Sequence, residues 1–591
     1  TADGVVLTLA GVVSNGGLTQ SGDGGLLLSN DNTYTGDSTV NAGLLYITGS
    51  VDGDAVVNGG TLGLGADDAI DAGHGLFVNG GLLASDDDAR NVANAVVVGG
   101  AFGVSNNSNL ELSGDMDLGA ATRTVTVSNT LTTFSGALFN GGLTKTGAGT
   151  LLLSGTNDFN DDVTVDAGVL QVTGGSAIDN DVAVRVSNGA TFELVGSDES
   201  VGILAGVAGS MVELNAQQLS LVGDGFDEAF LGVISGAGGS LVKGGDSMFT
   251  LGGDNTYTGD TTVTEGLLYL TGSIDGDAVV NDGLLVFGND NAIDAAHILT
   301  MNGGSIASDA AGRTIANDVL ANSDFTVSGD VASDSLELAG VLSGSGKLIK
   351  EGASSLLLSG TNTRTADTDI TAGTLAVTGG DALSDTHLVD LNAAGATFSV
   401  QADETIGALQ GVVDSVVNFD GSVLTFGDAT DRAVASNLTG TGGFIKQGSG
   451  VVTLSGDASY TGDTTVNAGA LTLQGGNAIG DTSDVTLADA AGVLVTLEAD
   501  ETIGSLAGGG TTGGDVQLAD NTLTIGDGTH VANATFDGDI LSDPTGRLVL
   551  NIANGGSQTF TGTINAGGGF DVDHGTVNFA PSAVIVADVT N

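Results

Sequence analysis

The 591-residue sequence has no cysteine, no tryptophan and only 2 prolines. Without cysteine there is no disulfide framework, thiol nucleophile or zinc–thiolate centre, and the residue that would report a redox compartment is missing. Basic residues are almost as scarce, with 12 Lys and Arg against 72 Asp and Glu and a formal charge of −60. A field of that sign repels phosphate backbones and anionic lipid surfaces, so nucleic acid is excluded as a partner. It also strains a compact sphere, whereas an elongated shape spreads it and salt or divalent cations screen it. No run reaches the roughly 20 apolar residues of a membrane helix. The opening "TADGVVLTLAGVV" lacks the charged start of a signal peptide, so the sequence reads as a mature, soluble product with no membrane span of its own.

What the sequence does have is glycine, 100 residues of it, and internal repetition. Five copies of one motif end on Gly43, Gly168, Gly266, Gly373 and Gly469. Nine positions earlier stand Tyr34, Phe159, Tyr257, Arg364 and Tyr460, and 23 positions earlier Gln20, Lys145, Lys243, Lys350 and Lys446. Four of the chain's few lysines thus share one repeat position, which assigns that position a job. The segments between copies come in two kinds. "NTYTGDSTVNAGLLYITGSVDGDAVVNGG" returns as "NTYTGDTTVTEGLLYLTGSIDGDAVVNDG" with an offset of 223, which carries His74 onto His297 and Arg90 onto Arg313. The other kind contains "SDESVGILAG", "ADETIGALQG" and "ADETIGSLAG". The order is A over 1–142, B over 143–240, A over 241–346, B over 347–443, B over 444–540, then degenerate coils over 541–591.

Inside each copy apolar residues alternate, as Leu151 and Leu153 do about Leu152, which is the period of a strand. Short strands are separated by Gly, Asn and Asp, which take left-handed turn conformations at low cost. Near-identical units in one register mark a stacked solenoid, and the predicted fold is all-β, a single right-handed parallel β-helix forming an elongated rod. Coils of roughly 20 to 25 residues stacked about 4.8 Å apart give about 24 to 29 coils and about 115 to 140 Å. The aromatic at the Tyr34 position caps the core at a turn, and Thr and Asn stack in ladders outside.

"GGLTKTGAGTLLLSGTNDFNDDVTVDAGVLQVTGG" resembles the passenger-associated transport repeat of bacterial autotransporters, with its Leu-x-Lys, Gly-x-Gly, Thr-Leu-x-Leu-Ser-Gly, aromatic and Thr-x-Val signature. The resemblance covers about 30 residues five times. It implies export across an outer membrane and a β-helix displayed at the bacterial surface or secreted. Gln20 replaces the lysine in copy one and Arg364 the aromatic in copy four, and "VADVTN" closes the chain without membrane-barrel strands. The resemblance is therefore to the passenger alone, its translocator removed or its export by another route.

Asp-rich turns such as "TNDFNDD" invite a polysaccharide-active reading, but function needs a convergent acid and base, and none is legible. The expectation is no enzyme and no cofactor. The five histidines, at 74, 297, 387, 530 and 574, show no ligand pattern, and shared ancestry accounts for the matching pair. "GDGFD" is a lone fragment of a calcium nonapeptide that works only in tandem, leaving non-specific Ca2+ at turns that carry Asp86, Asp87, Asp88, Asp161 and Asp162. For the repeat lysines the simplest role is a stem packed on the coil with its ammonium near a turn carboxylate. An open β-helix exposes unpaired main chain at each end, and apolar "GVVLTLAGVV" and "GTVNFAPSAVIVADV" occupy those ends. The expectation is a non-catalytic structural solenoid, a cell-surface rod or a subunit that self-associates end to end into an extracellular filament. The alternative is a monomeric adhesin that meets a cell-surface or matrix partner.

Overall fold

The structure is a computed structural model that describes residues 4–105 and 108–590. It contains 73 strands, most of three or four residues, and no helix among the described residues. No helix is therefore long and apolar enough to cross a membrane. The chain divides into two compact units, residues 1–297 and 298–591. In each unit the strands pair in parallel with strands of the next coil, as Leu143–Thr146 does with Val163–Val165 and Ser355–Leu358 with Thr374–Val377. The fold is a parallel β-solenoid of about 29 turns. The pairing offset varies from 17 residues between Leu45 and Leu62 to 28 between Gly508 and Phe536. Insertions are absorbed at the corners while the strands keep register.

The alternation read from the sequence is the burial pattern of the strands. Leu151, Leu153, Leu170 and Val172 are fully buried, while Leu152 and Gln171 face outward. Each inward side chain stacks on its counterpart one coil away, as Leu151 does on Leu170 and Leu170 on Phe192. One coil alone could not bury such a row, so stacking supplies the core that repetition extends. Outside, Asn79 donates to Asn58 at 2.8 Å and Asn58 to Asn41 at 2.9 Å, an asparagine ladder along one corner.

The aromatic repeat position lies inside the core and follows a pairing rule. The hydroxyls of Tyr34, Tyr257 and Tyr460 bond the buried hydroxyls four residues on, Ser38 at 2.6 Å, Thr261 at 2.5 Å and Thr464 at 2.5 Å. Phe159, which has no hydroxyl, faces Val163 at that spacing. Arg364 keeps the rule with a different group, its Nη2 donating to Thr368 Oγ1 at 2.7 Å and its Nη1 to the carbonyls of Gly346 and Asp367. It is 2% exposed, its Nε has no hydrogen-bond partner, and burial pushes its guanidinium down to about 10. A buried cation with an unmet donor is destabilising next to the tyrosine it replaces. Arg364→Tyr should therefore stabilise the second unit by about 1–4 kcal/mol, read as a raised unfolding midpoint and slower amide exchange over residues 342–391. A lowered midpoint would show that the guanidinium contributes more than it costs.

Candidate functional site

The repeat lysines are buried polar groups that recur at one position of the motif. Lys145, Lys243, Lys350 and Lys446 are all at most 1% exposed. Each leaves an inward strand position and crosses the following turn. Lys145 Nζ donates to the carbonyls of Thr146 at 3.1 Å, Gly147 at 2.8 Å and, one coil on, Ala167 at 2.8 Å. Lys446 repeats this with Gln447, Gly448 and Ala468, Lys350 with Glu351, Gly352 and Ala372, and Lys243 with Gly244, Gly245 and Glu265. In copy one Gln20 Nε2 meets the carbonyls of Gly22 and Gly24. The ammonium partners are thus main-chain carbonyls, not the turn carboxylate that charge alone suggests. A strand that turns a corner aims carbonyls inward where no N–H can reach them, and one multi-donor head serves two coils at once.

The terminal glycine of the motif makes room for that head. Gly43, Gly168, Gly266, Gly373 and Gly469 all have φ between +65° and +68°. A Cβ on Gly266 would lie 2.4 Å from the Gly245 carbonyl oxygen and 2.8 Å from Lys243 Nζ. The structure therefore brings the lysine and glycine positions together, 23 residues apart in sequence, as one carbonyl-lined cage.

The B-type segments carry the complementary device. Glu199, Glu404 and Glu501 are buried and accept from two successive main-chain N–H groups of the preceding coil, Glu501 from Ala478 at 3.1 Å and Ile479 at 2.9 Å. Turn aspartates act similarly toward the following coil. Asp54 accepts from the N–H of Gly75, Asp224 from Asp246, Asp403 from Val423 and Asp500 from Thr522. Much of the acidity is thus a set of anchors between coils. The cation candidates are engaged too. Asp86 pairs with Arg90, whose Nη2 also lies 3.4 Å from the exposed Asp88, Asp162 takes Arg185 Nε at 2.7 Å, and Asp161 bonds Thr122. Asp87 is exposed beside Asp86, and the groups at 86–88 and 161–162 stay in separate coils.

Burial pushes Lys145, Lys350 and Lys446 down to about 8, and Lys243 below its ordinary value. Burial pushes Glu199, Glu404 and Glu501 up to about 7, against the pull of their N–H donors. For the glutamates the folded chain holds more protons between 4.5 and 7, so stability falls as pH rises through that window. For the lysines the unfolded chain holds more protons between 8 and 10.5, so stability rises there. The buried tyrosines, raised above 10 by burial, end that rise once their unfolded counterparts ionise. In high salt the unfolding midpoint should pass through a minimum between pH 7 and 8. Lys350→Met should flatten the alkaline rise and lower stability by about 2–5 kcal/mol, whereas Lys350→Gln, copying Gln20, should lose less. Equal losses in the two variants would mean that packing, not the carbonyl cage, fixes the position.

A surface trough of about 460 Å³ opens in the first unit. Its floor is an outward ladder in which Tyr46 is followed by Gly63 and Ala84 on successive coils. A Cβ on Gly63 would fall 2.3 Å from Tyr46 Cδ2, so the phenol ring lies over the glycine. Thr61, Ser85, Asp86, Asp87 and Ser105 complete the wall. Burial, then Asp86, push the Tyr46 phenol up. In the duplicated segment Val286 holds the floor position beneath Tyr269. The sequence reading named Asp86 and Asp87 but missed Tyr46, because its partner is a glycine whose neighbour becomes visible only once the coil register is known.

The five motif copies fall in residues 18–47, 143–172, 241–270, 348–377 and 444–474, which match the passenger-associated-transport-repeat family. Parallel coils bearing these repeats define an autotransporter-type passenger solenoid. Over 490 residues, 80% of its length, the chain is 30% identical to the Adhesin BmaC autotransporter of Brucella suis biovar 1 (strain 1330). It spans 13% of that curated relative. No solved structure matches. Repeats, fold and relative together make the chain similar to the passenger of an autotransporter, and they point to the bacterial cell surface or the outside of the cell.

Proposed function

We propose that the chain is a non-catalytic adhesin-type passenger that presents the outer faces of its coils to another cell or to matrix. The observation that carries this reading is the similarity to an autotransporter adhesin over 80% of the chain. The trough at Tyr46 is the place where contact is made. An aromatic ring on a flat floor, flanked by carboxylates and hydroxyls, suits an uncharged polar ligand such as the sugars of a glycoconjugate, while the charge of −60 disfavours anionic ones. The turn carboxylates that accept main-chain N–H groups are committed to the scaffold, which weighs against their use as acid and base. Beads coated with the purified chain should adhere to epithelial cells or matrix at physiological salt. Tyr46→Ala and Gly63→Val should cut adhesion at least about tenfold, as loss of a hot-spot side chain does, with folding unchanged by circular dichroism. Adhesion equal to that of uncoated beads would overturn the adhesin reading, and adhesion untouched by both variants would move the contact elsewhere.

Head-to-tail assembly is the second reading. It is favoured by the apolar strands near the two ends, where Val5, Val6, Leu7 and Val12, and likewise Val584, Val586 and Val589, are at least half exposed. A further coil of a longer chain would cover the same edges, so this observation ranks below the relative. If the edges pair between molecules, the protein sediments as polymers in high salt, and removing residues 1–12 or 577–591 leaves folded monomers. A monomer at high concentration in high salt ends this reading.

A further inference from the structure

At the end of the first unit, the turn Asp294–His297 closes against the preceding coil's corner, which carries Asp275 and Asp277. The turn bond runs from the His297 N–H to the Asp294 carbonyl at 3.0 Å, and Asp294 Oδ1 accepts from the Ala296 N–H at 2.9 Å. His297 Nδ1 lies 3.0 Å from Asp277 Oδ1, and Nε2 lies 3.5 Å from Asp275 Oδ1. One oxygen each from Asp275 and Asp294 and one ring nitrogen of His297 lie within 4.8 Å of one another.

We propose that Asp275, Asp294 and His297 bind a borderline divalent transition ion, Zn2+ in kind, with Asp277 as the positioning residue. With Nδ1 bonded to Asp277, Nε2 is the ring nitrogen turned toward the Asp275 carboxylate. The 3.5 Å between Nε2 and the Asp275 oxygen is long for a good hydrogen bond. A tetrahedral ion with bonds of about 2.0–2.1 Å spaces its ligand atoms about 3.3 Å apart, close to that separation. A metal would take the Asp294 oxygen as its third ligand. A carboxylate behind the ligating imidazole fixes its tautomer and raises its basicity. The mixed nitrogen and oxygen donors favour Zn2+ over Mg2+ or Ca2+, which take oxygen alone. The duplicated segment supplies an internal contrast. There His74 Nε2 sits 3.2 Å from Asp52 and Nδ1 3.4 Å from Asp54, so the close hydrogen bond is on the other nitrogen. The inference stands on this geometry and is independent of the adhesin reading.

Titration calorimetry of the full chain with ZnCl2, in physiological salt and excess Mg2+ to occupy loose carboxylates, tests it. One equivalent should bind. His297→Ala and Asp275→Asn should abolish that equivalent, Asp277→Asn should weaken it about 10- to 100-fold, and His74→Ala should leave it intact. Asp294→Asn, at an exposed position, tests the site should His297→Ala fail to fold. Zn2+ uptake that Mg2+ eliminates, or a stoichiometry unchanged in both His297→Ala and Asp294→Asn, overturns the proposal and leaves only diffuse attraction to an acidic surface.

Discussion

At some corners a stacked coil leaves main-chain groups that the next coil's backbone does not meet. Along the strands the parallel ladders satisfy N–H and C=O without help from side chains, but at the turns the polypeptide changes direction and the ladder lapses. The conserved geometry of this chain is the way those lapses are filled. Inward carbonyls receive a lysine ammonium, as at Lys145 and Lys446, while inward amides receive a glutamate, as at Glu199 and Glu501. Outward amides receive aspartates one coil away. Only then do the leucine rows of successive coils close over one another. The acidic composition and the few buried bases have one origin: the first stitches coils on the outside and the second fills the corners within.

Much of this was legible in the sequence, and what was not has a definable reason. The strand period about Leu152, the five copies and the parallel solenoid followed from alternation and register. That the lysine position had a task was plain from its recurrence, but its partners are carbonyls, which every residue carries and no residue letter marks. The anchoring role of the aspartates is hidden for the same reason, since the amide that each one meets lies some 20 residues away on another coil. His297 shows no ligand pattern in the sequence because Asp275 and Asp277 come near it only after the chain has completed a turn of the solenoid, and Asp294, three residues before it, makes no pattern alone. Distance along the chain hid each of these contacts, and the coil length is the number that recovers them.

The copies also show which relations the fold holds fixed while residues change. Tyrosine faces serine or threonine four residues on, phenylalanine faces valine, and arginine faces threonine again, so the pair is matched within each coil. Charges on the outer ladder of the B-type segments change between copies. Arg185 stands between Asp162 and Glu228 in one copy, whereas in the next the equivalent corner sets Asp390 near Lys347 and Arg432. Neighbouring coils change together because each is the other's only environment at that position.

Burying the lysines has a consequence for a protein that lives outside the cell. Trypsin-like proteases must seat an extended Lys or Arg side chain in their specificity pocket. Four of the five lysines and Arg364 are sealed within the solenoid, and Lys347, Arg90, Arg185, Arg313, Arg432 and Arg547 are tied to carboxylates. The folded surface therefore offers such enzymes almost no free basic side chain to grip. The same arrangement that satisfies the corners removes the chain's cleavage sites from view.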